Sequence, residues 1–260
     1  MRKALAGEAH AVVCDLEDAV APSEKGRARE LVARLLAEVQ TACARMVRVN
    51  GIDTPYWRED LAAIEGLSLD AVVVPKATPQ AISALGEEGP PLLALIETAA
   101  GVRLAYETAS QPRVFALALG AADLGAEVGL EPRPDGLEIL YARSKVVLDS
   151  AAAGVRPPFD VVHLDVRDSE GLEAECRLAR SLGFRGKLCI HPAQVPVVNR
   201  VFSPTFEEVE WARRVVDAFE AGISSGRGAI GLQGMLVDRP VVERARAVLE
   251  EASQAEGGTR

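Results

Sequence analysis

Short apolar runs alternate with longer amphipathic stretches along most of the chain. The short runs, bounded by Gly, Pro and Asp, predict strands over Ala11–Leu16, Met46–Val49, Ala71–Val74, Leu92–Ile96, Val114–Leu119, Val161–Leu164 and Lys187–Ile190. The stretches between them predict helices over Glu24–Val39, Tyr56–Glu65, Pro79–Leu85, Gly101–Thr108, Gly136–Ala152, Asp168–Leu182 and Ala193–Val201. The strands are apolar at nearly every position, as strands covered on both faces are. Repeated strand–helix units of this length imply a parallel sheet with right-handed crossovers. The pattern therefore predicts an α/β fold, a TIM (β/α)8-type barrel. No Gly-x-Gly-x-x-Gly follows the first strand, which argues against a dinucleotide-binding sheet. The strand count is one short of a barrel, and Met1–His10 reads as the end of a helix. The expectation is a barrel lacking its first strand.

After Ser203 the pattern changes. Thr205–Ala221 predicts a long helix with Glu207, Glu208 and Glu210 near its start, the end that favours acids. Ala229–Leu232 and Met235–Val237 flank Gln233-Gly234 as a hairpin or extended flap. Pro240 then opens a last helix, Val241–Ala252, in the first-turn position that suits proline. Residues 1–203 are expected to form the barrel, 204–252 a helix–flap–helix extension, and 253–260 a disordered tail.

Composition narrows the function. With 48% hydrophobic and 26% charged residues, the 260-residue chain reads as a soluble globular protein. No apolar run approaches the roughly 18 residues of a membrane span, and no secretory signal core is visible at the N-terminus. The four cysteines form no C-x-x-C pair, so buried thiols in a reducing cytoplasm are expected. A net charge of −9 argues against nucleic acid as partner. It leaves room for a small anionic ligand held by a few local cations.

In such barrels the chemistry sits at the C-terminal ends of the strands. Those ends carry Asp15, Glu17 and Asp18, then Arg48, Lys76, Glu97, Asp123, Asp165 and His191. Period two puts Val47 and Val49 toward the helices and Arg48 into the barrel, where a guanidinium needs a carboxylate or an anionic ligand. A structural salt bridge with Asp15 or Glu17 and a ligand contact are both expected of it, and the two are compatible. Leu93, Leu95 and Glu97 share one face, so Glu97 is expected at the rim. Asp123 follows its strand by a small-residue turn. Two carboxylates without a nearby imidazole or thiolate suit a hard cation such as Mg2+. Helix capping explains the same two residues, and on spacing alone it is the stronger explanation. Glu17-Asp18 and Lys76 have equally ordinary explanations in turn formation and surface charge.

Eight segments, in order along nearly the whole chain, resemble the citrate lyase beta-subunit-like proteins of the HpcH/HpaI aldolase superfamily. They are Ala11-Val-Val-Cys-Asp-Leu-Glu-Asp-Ala-Val-Ala-Pro22, Val47-Arg-Val-Asn-Gly51, Val73-Val-Pro-Lys76, Leu95-Ile-Glu-Thr-Ala-Ala-Gly101, Gly120-Ala-Ala-Asp-Leu124, Leu140-Tyr-Ala-Arg-Ser144, Gly186-Lys-Leu-Cys-Ile-His-Pro192 and Gly234-Met-Leu-Val-Asp238. The resemblance implies a Mg2+-dependent lyase that cleaves or forms carbon–carbon bonds of 3-hydroxyacyl thioesters, such as citryl-, malyl- or citramalyl-CoA, giving an acyl thioester and a keto acid. The thioester is one of CoA or of a carrier protein. By the same resemblance Glu97 and Asp123 are the metal ligands. Arg48 contacts the keto-acid oxygens; Lys76, which an anion site at that rim would also use, is a second substrate-binding candidate by its position alone. Glu17 and Asp18 act on metal-bound water. Asp238 is the acid/base residue, delivered by the flap of a neighbouring subunit in a homotrimer. Citrate lyase complex subunits are a further implied partner. Members of the family begin with a strand carrying Arg-Ser and a Phe-Val-Pro-Gly-like run, which has no counterpart here. Many also carry an acid at the position of Ala122. Two other readings stand beside the lyase: a CoA-independent keto-acid aldolase of the same superfamily, and a non-catalytic ligand-binding barrel.

Overall fold

The computed structural model describes residues 2–39, 41–224 and 228–257. The chain forms two compact units, Met1–Val198 and Asn199–Arg260. In the first, a short helix α1 (Arg2–Leu5) precedes β1 (Ala11–Asp15), α2 (Lys25–Glu38), β2 (Ala44–Arg48), α3 (Trp57–Ile64), β3 (Ala71–Val74) and α4 (Pro79–Ala84). There follow β4 (Leu92–Ile96), α5 (Ala99–Arg103), α6 (Ala105–Ala109), β5 (Val114–Leu119), α7 (Ala121–Val128) and α8 (Leu140–Ala153). The unit closes with β6 (Arg156–Asp160), α9 (Ser169–Leu182), β7 (Gly186–Lys187) and α10 (Val195–Phe202), which crosses into the second unit.

The seven strands make one sheet in chain order, β1 to β7, and every pairing is parallel. This is the α/β barrel architecture as a seven-stranded, curled half-barrel. The alternation of side chains divides the core in two. Cys14, Leu16, Val47, Val49, Val72, Val74, Ala94, Ile96, Leu117 and Leu119 face the helices and pack with Val32, Leu36, Ile82 and Val146. Met46, Ala71, Val73, Leu93, Leu95, Ala116 and Ala118 form a smaller cluster on the opposite, inner face. Both faces are buried in the central strands, which accounts for their uninterrupted apolar sequence.

The sixth strand lies earlier than its apolar run suggests, over Arg156–Asp160 instead of Val161–Leu164. Its end is fixed by Asp160, which is fully buried and accepts from Arg143 Nε at 2.8 Å and Lys187 Nζ at 2.9 Å. The seventh strand is cut to Gly186–Lys187, because the N–H groups of Ile190 and His191 turn to the Gln194 side chain. The expected helix over Gly101–Thr108 divides at Leu104 into α5 and α6.

In the second unit, α11 (Phe206–Ser224) and α12 (Arg239–Gly257) flank an antiparallel hairpin of β8 (Ile230–Leu232) and β9 (Met235–Val237). Ala212, Val215, Val237, Val242 and Ala245 form its own small core. Gln233 and Gly234 both take positive φ, 50° and 84°, the geometry of a tight two-residue hairpin turn. Among the described residues no helix is long and apolar enough to cross a membrane.

Candidate active site

The strand register builds the site. Asp15 and Arg48 are partners across β1 and β2, on the inner face that Met46 also faces. Arg48 grips Asp15 with a two-pronged contact, Nε to Oδ1 and Nη2 to Oδ2, each 2.7 Å. Its remaining nitrogen, Nη1, lies 2.9 Å from Glu17 Oε2 and 4.0 Å from Asp18 Oδ2. Glu17 Oε2 is buried without an aligned hydrogen bond, so that contact is one of charge.

Asp15 also accepts from the main-chain N–H groups of Glu17 and Ala19, which folds the acidic segment back over the strand end. Burial by itself would raise the Asp15 carboxyl; the Arg48 guanidinium and these two N–H groups outweigh it and hold it below the usual carboxylate range. Glu17 goes the other way. Burial pushes it up, with the charge of Asp18 adding to the push, and Arg48 and Lys76 do not fully compensate.

Lys76 ties the next two strands in. Its φ of +46° is unusual for a residue with a side chain. That backbone aims the Lys76 N–H at Glu97 Oε1, 2.8 Å away. Its ammonium lies 3.3 Å from Glu17 Oε1 and 3.4 Å from Asp123 Oδ2, and these acids hold it firmly protonated against the cost of burial. Glu97 is 5% exposed. Burial pushes its carboxyl up to about 7 despite the Lys76 N–H, and the charges of Glu17 and Asp123 reinforce the shift. Its carboxylate rests against Gly120, where a Cβ would sit 2.7 Å from Glu97 Cβ and 2.8 Å from Oε2. The absent side chain at 120 is what gives Glu97 room.

Neither acid acts as a helix cap. Thr98 caps α5, its hydroxyl accepting from the Gly101 N–H at 2.9 Å, which leaves the Glu97 carboxylate to the rim. Asp123 lies not in a turn but in the first turn of α7, a helix hidden in the sequence by its small residues and begun at Gly120. The pair of carboxylates, with no imidazole or thiolate among their contacts, matches the donor chemistry of Mg2+, which keeps water in most of its shell. Among the described residues no group of three or more His, Cys, Asp and Glu side chains is placed to hold a metal. A closed zinc-type cage is therefore not the match; two carboxylates with open positions are.

The structure thus brings Glu17, Asp18, Arg48, Lys76, Glu97 and Asp123 to one rim. Asp238 belongs to the second unit, where Oδ1 faces the Val241 N–H at 3.5 Å at the start of α12. Asp15 and Glu17, the two carboxylates expected as partners of Arg48, are both at its guanidinium. Sequence reasoning missed Gly120 as the seat of Glu97 and the buried residues around Lys25.

Residues 1–192 match the family model described as HpcH/HpaI aldolase/citrate lyase. The chain is 37% identical to the citrate lyase subunit beta of Leuconostoc mesenteroides subsp. cremoris, over 94% of this chain and 86% of that protein. It is 39% identical to a (3S)-malyl-CoA thioesterase of Cereibacter sphaeroides, over 97% and 90% respectively. Among solved structures, protein CitE from Mycobacterium tuberculosis in complex with magnesium, acetoacetate and coenzyme A superposes with a TM-score of 0.81 at 36% identity. That match covers 94% of this chain and 90% of that one.

Proposed function

The chain belongs to the HpcH/HpaI aldolase/citrate lyase family, and from that premise we propose that it is a Mg2+-dependent carbon–carbon lyase of 3-hydroxyacyl thioesters. The observation that carries the reading is the rim itself, where five successive strand ends bring a half-buried, paired arginine and a lysine among carboxylates. Citryl-, malyl- and citramalyl-CoA are the candidate substrates. The products are an acyl thioester and the corresponding keto acid.

Glu97 and Asp123 are the proposed metal ligands. When bound, Mg2+ supplies Lewis-acid polarisation of the oxygen that becomes the ketone. Arg48 stands ready at the same rim. With Nε and Nη2 fixed on Asp15, its Nη1 side is the part that meets substrate oxygens, and it offsets their developing charge. Lys76 adds a second cation for the substrate carboxylate. Glu17 and Asp18 hold water and its protons. Asp238 is the proposed proton-transfer group, removing the hydroxyl proton and returning a proton to the enolate carbon after the bond breaks. The free thiols, two of them buried, suit a cytoplasmic enzyme.

A panel of malyl-, citramalyl- and citryl-CoA with Mg2+ tests this reading. The expected result is acetyl-CoA with glyoxylate, pyruvate or oxaloacetate from one of them. Release of free CoA thiol without keto acid would make the enzyme a hydrolase instead. Turnover of free 4-hydroxy-2-keto acids without CoA would make it an aldolase, and no turnover would leave a binding barrel.

We place Asp238 at the site of a neighbouring subunit in a homotrimer. The support is that it follows a hairpin with exposed Met235 and Leu236, as a covering flap would. Mixing Asp238→Asn with Glu97→Ala subunits is expected to restore roughly a quarter of wild-type activity at random assembly. No recovery would assign Asp238 to its own barrel or to no catalytic role.

A further inference from the structure

Beneath the acidic segment lies a buried polar network that the reaction does not touch. Lys25, the first residue of α2, is 6% exposed. Its ammonium donates to Leu16 O, Glu17 O and Asn50 Oδ1, each at 2.7 Å, so all three of its donors are used. Asn50 Nδ2 donates to Leu16 O at 2.8 Å and to Asp60 Oδ2 at 2.6 Å, and its main-chain N–H reaches the same Asp60 oxygen at 2.8 Å. Asp60 is fully buried, and its other oxygen accepts from Arg29 Nε at 2.7 Å.

Lys25 and Arg29 continue the stripe of α2 that Val32 and Leu36 occupy, at helical spacing. The network therefore fixes α2, α3 and the chain leaving β2 against two consecutive carbonyls, those of Leu16 and Glu17. Those carbonyls point away from the rim, while the Glu17 side chain points into it, to Arg48 and Lys76. An ammonium with three oxygens around it joins both carbonyls to Asn50 Oδ1, while Asn50 Nδ2 also donates to Leu16 O and the Val20 N–H to Glu17 O at 3.0 Å. Without the ammonium, Asn50 Oδ1 would be buried without this donor, which costs more than the bond itself contributes, and both carbonyls would be released from α2.

We infer that Lys25 is a positioning residue for the carboxylate of Glu17, acting through the main chain, with Asn50 and Asp60 as the base of the clamp. The inference rests on the reading of Glu17 as a working group of the site. Misplacing a catalytic group by about an ångström costs on the order of 100-fold in rate, and the clamp is what keeps Glu17 within that tolerance.

A double-mutant cycle tests it, run with Mg2+ and whichever thioester of the panel turns over. Lys25→Met removes all three donors. It is expected to lower kcat by at least ~30-fold with little change in KM. In a Glu17→Gln background the same change is expected to cost less than ~3-fold, because the group it positions is already disabled. Lys25→Gln, which keeps an amide donor, is expected to fall between and carries the same cycle if the Met variant folds poorly. An equal loss in both backgrounds, or an unchanged kcat, overturns the inference. Amide hydrogen exchange reads the clamp without activity. The Glu17 and Ala19 N–H groups, held on Asp15, are expected to exchange faster in Lys25→Gln while amides of β4 and β5 do not. Unchanged exchange overturns the clamp. Faster exchange with full activity in Glu17→Gln would instead overturn the role of Glu17, and with it the catalytic meaning of the clamp.

Discussion

Replacing Glu97 with Ala is expected to abolish Mg2+ binding and to lower kcat/KM by at least ~1,000-fold, about 4 kcal/mol of transition-state stabilisation. The expectation follows from what surrounds the carboxylate. It is buried, it accepts the main-chain N–H of Lys76, and it lies within reach of the Asp123 charge. Only two carboxylates are proposed to hold the ion, so losing one halves the protein's share of the ligands. Asp123→Ala should behave likewise, with a smaller effect because Asp123 is more exposed than Glu97. Gly120→Ala is the informative companion. It leaves both carboxylates chemically intact but places a Cβ 2.8 Å from Glu97 Oε2, which forces the carboxylate to move. Calorimetric titration of Mg2+ into the three variants checks the set. Wild-type affinity in both Glu97→Ala and Asp123→Ala would mean that the metal is held elsewhere.

The same substitutions separate two effects that a static view merges. The upward shift of Glu97 to about 7 comes first from burial, then from its acidic neighbours. A bound cation acts in the opposite direction, favouring the charged carboxylate. Glu97 is thus a carboxylate whose surroundings disfavour its charge and which the ion would stabilise. Arg48 is the reverse case, a cation whose surroundings already provide the countercharge. The rim is built from both kinds, and only the first is expected to respond to metal.

How much of this was legible in the sequence depends on the element. β3, β4 and β5 lie where their apolar runs predict them, end to end, because a strand buried on both faces has no polar position to blur its limits. β6 does not, because Arg156-Pro-Pro-Phe-Asp160 looks like a loop. Its strand character comes from tertiary pairing with β5 and β7 and from the buried Asp160. α7 was hidden because Ala121-Ala-Asp-Leu-Gly125 is rich in small residues and carries only one large apolar side chain. Period two correctly put Arg48 and Glu97 on the inner face with Met46, Leu93 and Leu95. The partners of Arg48 were legible as the acids at the end of β1, Asp15 and Glu17; those of Lys76 and Glu97 were not, since they depend on backbone geometry. Nothing local in the sequence says that Lys76 turns through positive φ to present its N–H to Glu97. Lys25 left a faint signal, a cation in line with the buried stripe of α2. Such a lysine ordinarily reads as the solvated start of a helix.

Arg48→Lys is expected to keep Mg2+ binding and a folded barrel while losing at least ~100-fold in kcat/KM, about 2.7 kcal/mol. The guanidinium has three nitrogens in fixed directions. Two are spent on Asp15 at 2.7 Å, and the third faces Glu17 at 2.9 Å and the rim. Burial opposes its charge, but Asp15 and Glu17 more than offset that cost, so it stays protonated throughout the working pH range. A lysine ammonium is a single point charge. It can neutralise Asp15, which protects the fold from an unpaired half-buried carboxylate, but it cannot span Asp15 and substrate oxygens at once, because it lacks the planar fork. Stability and catalysis should therefore part company. Melting temperature, Mg2+ affinity and kcat/KM measured on one preparation decide it. A large fall in melting temperature with kcat/KM retained would make Arg48 a structural partner of Asp15 alone and remove it from the chemistry.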